Sequence, residues 1–525
     1  MDQTLREVRG RSHFRLRLLI DGLIIGVVAG GVITAYRLGI SAVSGWLHAL
    51  LGSAGEGRVL PYLCLMILMG AAAGLCTKFA PLISGSGIPQ VSAQLAGRLR
   101  VPWWRVLPGK FIGGLLTLGG GLTMGREGPS VQIGASVGQA FGDLARRPLS
   151  ARNFLISSGA AAGLAAAFNA PIAGVVFAME ELHKSFSGVV LVGATAASFA
   201  SAFVGASIMG FQPVLHVAGH ELLPLKDYWL ILLLGVATGL SGVFFNKCIL
   251  WSKALYGRLR LPWYAKGILP FALTAGFCLA LPELFGSGEP MIFYPTEANP
   301  APERLIALYG LKLLLLALAF GSGLPGGIFF PLLVLGSLVG NAMAQLAVAA
   351  GVLEPEFVLT LTLMAMTGHF SSIVRSPLTG ILLISEMTGS FAFMLPLGLV
   401  AMTAYVVAEG FRSEPIYESL QKRLLLSAAS DHERARSASA RDRMLVEFGV
   451  ENLSPADGRT IAEILWPEDS LVIAVKRGSG EIVPSGQVRL MAGDYLVVLI
   501  PRIAMREAQE QLESLTKGTS GAVGP

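Results

Sequence analysis

Charge is what this sequence has least of. Only 14% of its 525 residues are charged, 53% are hydrophobic, and the mean hydropathy is +0.63. Soluble globular proteins carry about 25% charged residues. The shortage is uneven: 30 of the 74 charged residues lie in the last 114 positions, from Arg412 onward. The chain is therefore a very apolar body joined to an ordinary soluble tail. A soluble enzyme, a nucleic-acid binder and a disordered scaffold are excluded as readings of the body, which must sit in a membrane.

Cysteine is scarce as well. Cys64, Cys76, Cys248 and Cys278 each lie inside an apolar run without metal-ligand spacing, so they read as packing residues. The net charge of +6 does not gather into a nucleic-acid surface. Instead Arg6, Arg9, Arg11, Arg15 and Arg17 precede the first apolar run. Arg412, Lys422, Arg423, Arg434, Arg436, Arg441 and Arg443 follow the last. Basic flanks mark the cytoplasmic side, so residues 1–17 form a cytoplasmic segment, both termini lie inside, and the number of crossings is even. A cleaved signal peptide is not expected, because Asp21 interrupts the first apolar stretch and no small-x-small site closes it.

What is present in quantity is apolar sequence punctuated by 64 glycines and 28 prolines. A helix crossing about 30 Å of hydrocarbon needs about 20 apolar residues. Leu18–Leu51, Leu60–Phe79, Val189–Met209, Tyr228–Leu250, Ile268–Leu284 and Leu305–Phe320 qualify. The segments around Gly85–Gly97, Gly109–Met124, Gly128–Leu144, Gly327–Ala350 and Ser376–Ser390 are too short or too broken. They read as helices that begin or end inside the membrane, which is tolerated only where backbone is buried in protein or lines a wet cavity. Such helices point to a midplane binding site, as in secondary transporters.

An internal repeat supports this. Gly125-Arg-Glu-Gly-Pro129 is followed by Gly134 and Gly138, and Gly327-Ile-Phe-Phe-Pro331 by Gly336 and Gly340 at the same spacings. Pro171, Gly174 and Glu180 are likewise matched by Pro377, Gly380 and Glu386. The body, 18–426, thus holds two related halves, about 18–210 and 225–411, which the transporter precedent makes inverted repeats. Pro282–Arg304 and Gly351–Glu356 lean acidic and suit the external face, whereas Arg98, Arg100 and Arg105 suit the internal one.

A charge at the bilayer centre costs about 3 kcal/mol on insertion scales, so it pairs or lines a pathway. Arg126 reads as a partner for a buried acid, Lys110 as a span end, and Glu180 and Glu386 as interfacial. Three Gly-rich turns, at Ser84–Pro89, Gly125–Pro129 and Gly327–Pro331, each open a helix. A helix start presents free N–H groups and about half a positive charge. If the three converge, they hold an anion without a buried cation. Glu127 stands on one such start. Ionised, its carboxylate competes with the anion for the same N–H groups; protonated, it leaves them free. One residue would then link anion occupancy to proton occupancy.

Gly85-Ser-Gly-Ile-Pro89, Gly125-Arg-Glu-Gly-Pro129 and Gly327-Ile-Phe-Phe-Pro331, in this order, resemble the signature motifs of the CLC family of chloride channels and chloride/proton antiporters. The resemblance runs from about residue 18 to 420. It implies an all-α polytopic membrane protein of broken, tilted helices, forming a homodimer with one anion pathway per subunit. Anion-binding residues carried over by position are Ser86, Gly87, Ile88, Arg126, Glu127, Gly128, Ile328, Phe329 and Tyr417. Among them the hydroxyls of Ser86 and Tyr417 and the backbone N–H groups of Ile328 and Phe329 would hold the central anion. Glu127 matches the external gating glutamate and Glu181 the internal proton-handling one, where channels of the family typically have an apolar residue. Glu181 therefore favours a chloride/proton antiporter, two chloride ions per proton, in a bacterial inner membrane; the alternative is a passive, gated chloride channel. Ser86 favours chloride over nitrate. No cofactor or enzymatic activity is expected. An intramembrane serine protease would need Gly where Ser84 stands, and only His369 of seven histidines lies near an apolar core. His183 and Lys184 read as a solvated helix end.

After Leu426 the apolar periodicity stops. Residues 427–443 read as a linker. Strands follow at Met444–Val450, Ser470–Lys476 and Asp494–Ile500, with helices at Thr460–Leu465 and Ile503–Thr516. This small α+β domain, 444–517, resembles TrkA-C, the C-terminal lobe of potassium-conductance regulators, through Asp457-Gly-Arg-Thr-Ile461 and Arg489-Leu-Met-Ala-Gly-Asp494. Such lobes dimerise, and some bind a small nucleotide. Residues 518–525 read as a disordered tail.

Overall fold

A computed structural model describes residues 2–52, 59–215, 222–259, 261–436, 443–467, 470–477, 480–501 and 505–516. The chain divides near Leu426 into two compact units.

The first unit is helical. Its first half comprises α1 (Asp2–Gly52), α2 (Val59–Phe79), α3 (Ile88–Leu95), α4 (Trp103–Gly119), α5 (Glu127–Leu144), α6 (Leu149–Phe168), α7 (Pro171–Phe177) and α8 (Gly188–Met209). Its second half comprises α9 (Tyr228–Arg258), α10 (Trp263–Ala280), α11 (Tyr294–Glu297), α12 (Pro302–Gly321), α13 (Phe329–Ala349), α14 (Val358–Val374), α15 (Pro377–Thr388) and α16 (Met394–Gly410). The halves are inverted repeats: α1 corresponds to α9, α4 to α12, α5 to α13, α6 to α14 and α7 to α15. Eight helices among the described residues are long and apolar enough to cross a membrane. One is α13, expected among the broken segments; at 21 residues it has the length to cross.

Local chemistry explains the breaks. Helices α6 and α14 each end on a residue in the left-handed region, Asn169 at φ 56° and Arg375 at φ 70°. Each is followed two residues later by a proline whose fixed φ starts the next helix, Pro171 for α7 and Pro377 for α15. Between α5 and α6 the backbones touch, because a Cβ on Gly134 would strike the Gly159 carbonyl and one on Gly159 the Gly134 carbonyl. Small residues at such crossings are how helices associate where lipid gives no hydrophobic drive.

Helix α17 (Ile416–Arg436) begins in this unit and runs past the division at Leu426. It runs ten residues into the expected linker: 427–436 continue the helix, since Ala and Leu around Ser427 and Glu433 propagate it at little cost.

The second unit is a four-stranded antiparallel sheet, order β1-β4-β2-β3, of β1 (Arg443–Gly449), β2 (Leu471–Arg477), β3 (Gly480–Ile482) and β4 (Tyr495–Pro501). Strand β3 was not anticipated, being too short for a periodic signal. The helix expected at Thr460–Leu465 is one 3₁₀ turn, Ile461–Glu463, closed by a capping box between Thr460 and Glu463. The final helix is α18 (Met505–Thr516), which buries Ala508 and Leu512. The Gly493 turn, at φ 92°, delivers Asp494 to a bidentate pair with Arg477, both contacts 2.7 Å. Burial alone would push the Asp494 carboxyl up, but Arg477 and the Met491 N–H hold it below its ordinary value. The expected disordered tail, 518–525, lies outside the described residues.

Candidate functional site

The three Gly-rich turns are stitched together by backbone. Gly125 and Gly327 exchange N–H···O bonds, both 2.7 Å, a reciprocal pair of the kind a two-fold relation produces. The Gly85 N–H donates to the Leu324 carbonyl at 3.2 Å and the Gly326 N–H to the Gly85 carbonyl at 3.1 Å. The starts of α3, α5 and α13 are thereby brought together, the condition on which anion binding by helix ends depends.

Gly87 caps α3 at φ 97°, with Ile88 as its first residue. Gly128 lies so close to Ser86 that a Cβ would meet the Ser86 hydroxyl and carbonyl. Ser86 comes from this turn and Tyr417 from the first turn of α17; each is 2% exposed. Both hydroxyls are buried, and among the described residues neither makes a hydrogen bond within the usual distance. Buried orphan hydroxyls are rare in a folded protein, and these two suit an acceptor such as a halide. Ile328 caps α13 and Phe329 opens it. Phe329 lies among Phe168, Phe177 and Phe370, with centroids 5.3, 6.3 and 4.8 Å away.

Glu127 is buried at the start of α5. Its carboxylate rests against its own N–H and that of Phe330, between two helix starts, and its Oε2 makes no hydrogen bond. Arg126, at the α5 cap, sits 3.9 Å from it through Nε. The carboxylate therefore occupies the space that an anion on these helix starts would need.

Glu181 is also buried, in a π-helical segment, Ala178–His183, that continues α7. Such widened turns recur at functional sites. Its Oε2 accepts the Ser376 hydroxyl at 2.9 Å, from the other repeat. Next to Glu181, the His183 ring contacts the Ser157 hydroxyl at 2.5 Å and is not simply solvated. Exposed Lys184 pairs with Glu418, the neighbour of Tyr417.

One other sequence expectation changes, and two glutamates gain partners. Lys110 is not a span end: it is fully buried and donates to the carbonyls of Ile83 at 2.8 Å and Gly85 at 2.6 Å. Its counterpart Lys312 does the same for Leu284 at 2.8 Å and Gly286 at 2.7 Å. Glu180 and Glu386 are helix caps exchanged between repeats. Glu386 accepts from the N–H groups of Ile172 and Ala173 at the start of α7, at 3.0 and 2.7 Å. Glu180 accepts from those of Leu378 and Thr379 at the start of α15, at 3.1 and 2.7 Å. The lysine clamps could have been found from sequence, because Gly286-Ser-Gly-Glu-Pro290 repeats the pattern of Gly85-Ser-Gly-Ile-Pro89.

The repeat also sorts the buried charges. Lys110 and Lys312, and Glu180 and Glu386, occur in both halves and brace the same turns. Glu127 falls opposite Phe329, and Glu181 opposite Met387. Charges kept in both halves hold the scaffold, while those in one half only have no structural twin.

Residues 68–409 match the family described as voltage gated chloride channel, and residues 445–513 match the TrkA-C domain. Among solved structures, the chain is similar to one described as a slow cyanobacterial Cl⁻/H⁺ antiporter, with 31% identity and a TM-score of 0.73, over 78% of this chain and 98% of that one. A CLC-type fluoride/proton antiporter shares the fold at 24% identity and a TM-score of 0.64, over 77% and 97% of the two chains. A eukaryotic CLC transporter shares it at 22% and 0.65, over 78% and 74%.

Proposed function

Starting from the fact that the chain belongs to the voltage gated chloride channel (CLC) family, we propose that it exchanges chloride for protons, two chloride ions per proton. The observation that carries this reading is a buried carboxylate, Glu127, lodged between two helix starts beside the orphan hydroxyls of Ser86 and Tyr417. Chloride at those hydroxyls, drawing on the N–H groups of Ile328 and Phe329, lies next to the helix-start N–H groups that the ionised carboxylate holds, and the two negative charges repel. Protonation weakens that hold, so the anion and the proton occupy the site together. Glu181 supplies a second buried carboxylate for protons, in the segment that continues α7. A passive channel needs no such second acid, and this favours exchange over the channel.

In the same reading the protein is a homodimer in a bacterial inner membrane with both termini in the cytoplasm. The TrkA-C domain strengthens the dimer or takes a small nucleotide. The test is simultaneous recording of chloride and pH from chloride-loaded liposomes with the voltage clamped by valinomycin. Proton uptake against its gradient during chloride efflux supports exchange. Chloride efflux without proton movement establishes the channel instead.

A further inference from the structure

A second cavity lies away from the anion site, where the ends of α2, α9 and α12 meet the start of α10. Its volume is about 420 Å³. Lys78, Lys253 and Lys266 line it, and no Asp or Glu does among the described residues. None of the three lysines forms an ion pair among those residues. The Lys78 ammonium stands 5.3 Å from the centroid of Trp263, and Lys253 stands 5.5 Å from that of Phe320. Tyr256, 4% exposed, also lines the cavity, and its hydroxyl is buried without a hydrogen-bond partner.

We infer that this cavity binds a phosphate-bearing anion. Three ammoniums around one space repel each other unless an anion enters, and an unpartnered buried hydroxyl supplies a further donor. Lysines act as point charges toward phosphate and need no planar, two-pronged partner. The volume is within the range of sites for whole organic ligands, far more than a halide fills. Trp263 gives an aromatic face at the rim, which suits either a lipid headgroup at the membrane surface or the base of a soluble nucleotide.

The cavity bears on transport through its floor. Ser84 and Leu324 line it. Ser84 leads into Gly85 and Ser86, and Leu324 accepts the Gly85 N–H. An anion held against these two residues fixes the turn that presents Ser86, so occupancy adjusts the rate of anion turnover. That second step rests on the proposed transport function; the binding does not.

The test uses the full chain, purified, as wild type, as Lys253→Gln/Lys266→Gln, and as Lys422→Gln. The last removes an exposed lysine that is paired with Glu414 and does not line the cavity. In one arm, inorganic pyrophosphate is titrated while thermal unfolding is followed. In the other, native mass spectrometry counts phosphatidylglycerol and phosphatidylcholine retained. A saturable thermal shift in wild type and Lys422→Gln, with affinity about tenfold weaker or lost in the double variant, identifies a soluble phosphate. Selective retention of phosphatidylglycerol that drops in the double variant identifies a lipid headgroup. Should the double variant not fold, Lys78→Gln at the exposed rim must move binding in the same direction. No binding in either arm, or equal binding by all variants, overturns the site. If binding holds but chloride flux is unchanged by it, only the regulatory step is lost.

Discussion

In the first half of the body Lys110 clamps the carbonyls of Ile83 and Gly85, and in the second Lys312 clamps those of Leu284 and Gly286. Glu180 caps the second half's α15, and Glu386 the first half's α7. At these four positions the halves agree in residue and in bonding. They part company at two others, where Glu127 and Glu181 stand opposite Phe329 and Met387. The second half answers the Glu127 position with an aromatic ring packed among Phe168, Phe177 and Phe370.

The comparison breaks most easily at Glu127. Glu127→Gln keeps the shape but cannot ionise, so proton movement should be lost altogether while chloride still flows, read as pH and chloride traces from liposomes. Persistent coupled proton flux would return Glu127 to the scaffold class. Next in size are the clamps. Lys110→Met and Lys312→Met each remove two hydrogen bonds to turn carbonyls, the Gly85 carbonyl keeping its bond from the Gly326 N–H, and each should cost about 2–3 kcal/mol in thermal unfolding. A Lys110 variant that unfolds normally but uncouples transport would sharpen the sorting by moving that lysine across it. Glu386→Gln should cost about 1 kcal/mol, the usual worth of a helix cap, and Glu180→Gln the same.

The smallest effect lies in the tail. With Asp494 held below its ordinary value, the pair with Arg477 stabilises the folded domain fully above about pH 4, the range where the unfolded side chain is ionised. That stabilisation is lost as pH falls through the lower, folded value. Arg477 is partly exposed, so solvent weakens the pair. The hydrogen-exchange protection factors of β4 in the full chain, taken relative to the intrinsic exchange rate at each pH, should fall on acidification below that range. Arg477→Met should remove the acid dependence.

How much of this was legible in the sequence follows from what each feature depends on. The turns at 84–89, 125–129 and 327–331 are local, written in Gly and Pro, and the sequence places them and Glu127 correctly at helix starts. The role of Lys110 depends on carbonyls 25 and 27 residues away, so a lone lysine near an apolar run reads as a span end. Glu180 and Glu386 sit at identical distances from Pro171 and Pro377, but the exchange of caps between repeats is a matter of three dimensions. The helix through 427–436 was hidden because charge and serine also compose linkers. Helix α13 looked broken because Gly326 and Gly327 precede it, Pro331 stands in its first turn and Gly336 and Gly340 interrupt its apolar run, yet none of them ends the helix.

The measurement that tests the central claim most directly sets Glu181→Gln against Glu386→Gln, with proton-to-chloride flux ratio and thermal unfolding recorded on the same preparations. The account predicts that Glu181→Gln abolishes proton movement with little change in unfolding temperature. Glu386→Gln should lower the unfolding temperature and leave the flux ratio intact. Coupled transport surviving in Glu181→Gln, or a changed ratio in Glu386→Gln at full stability, would contradict it.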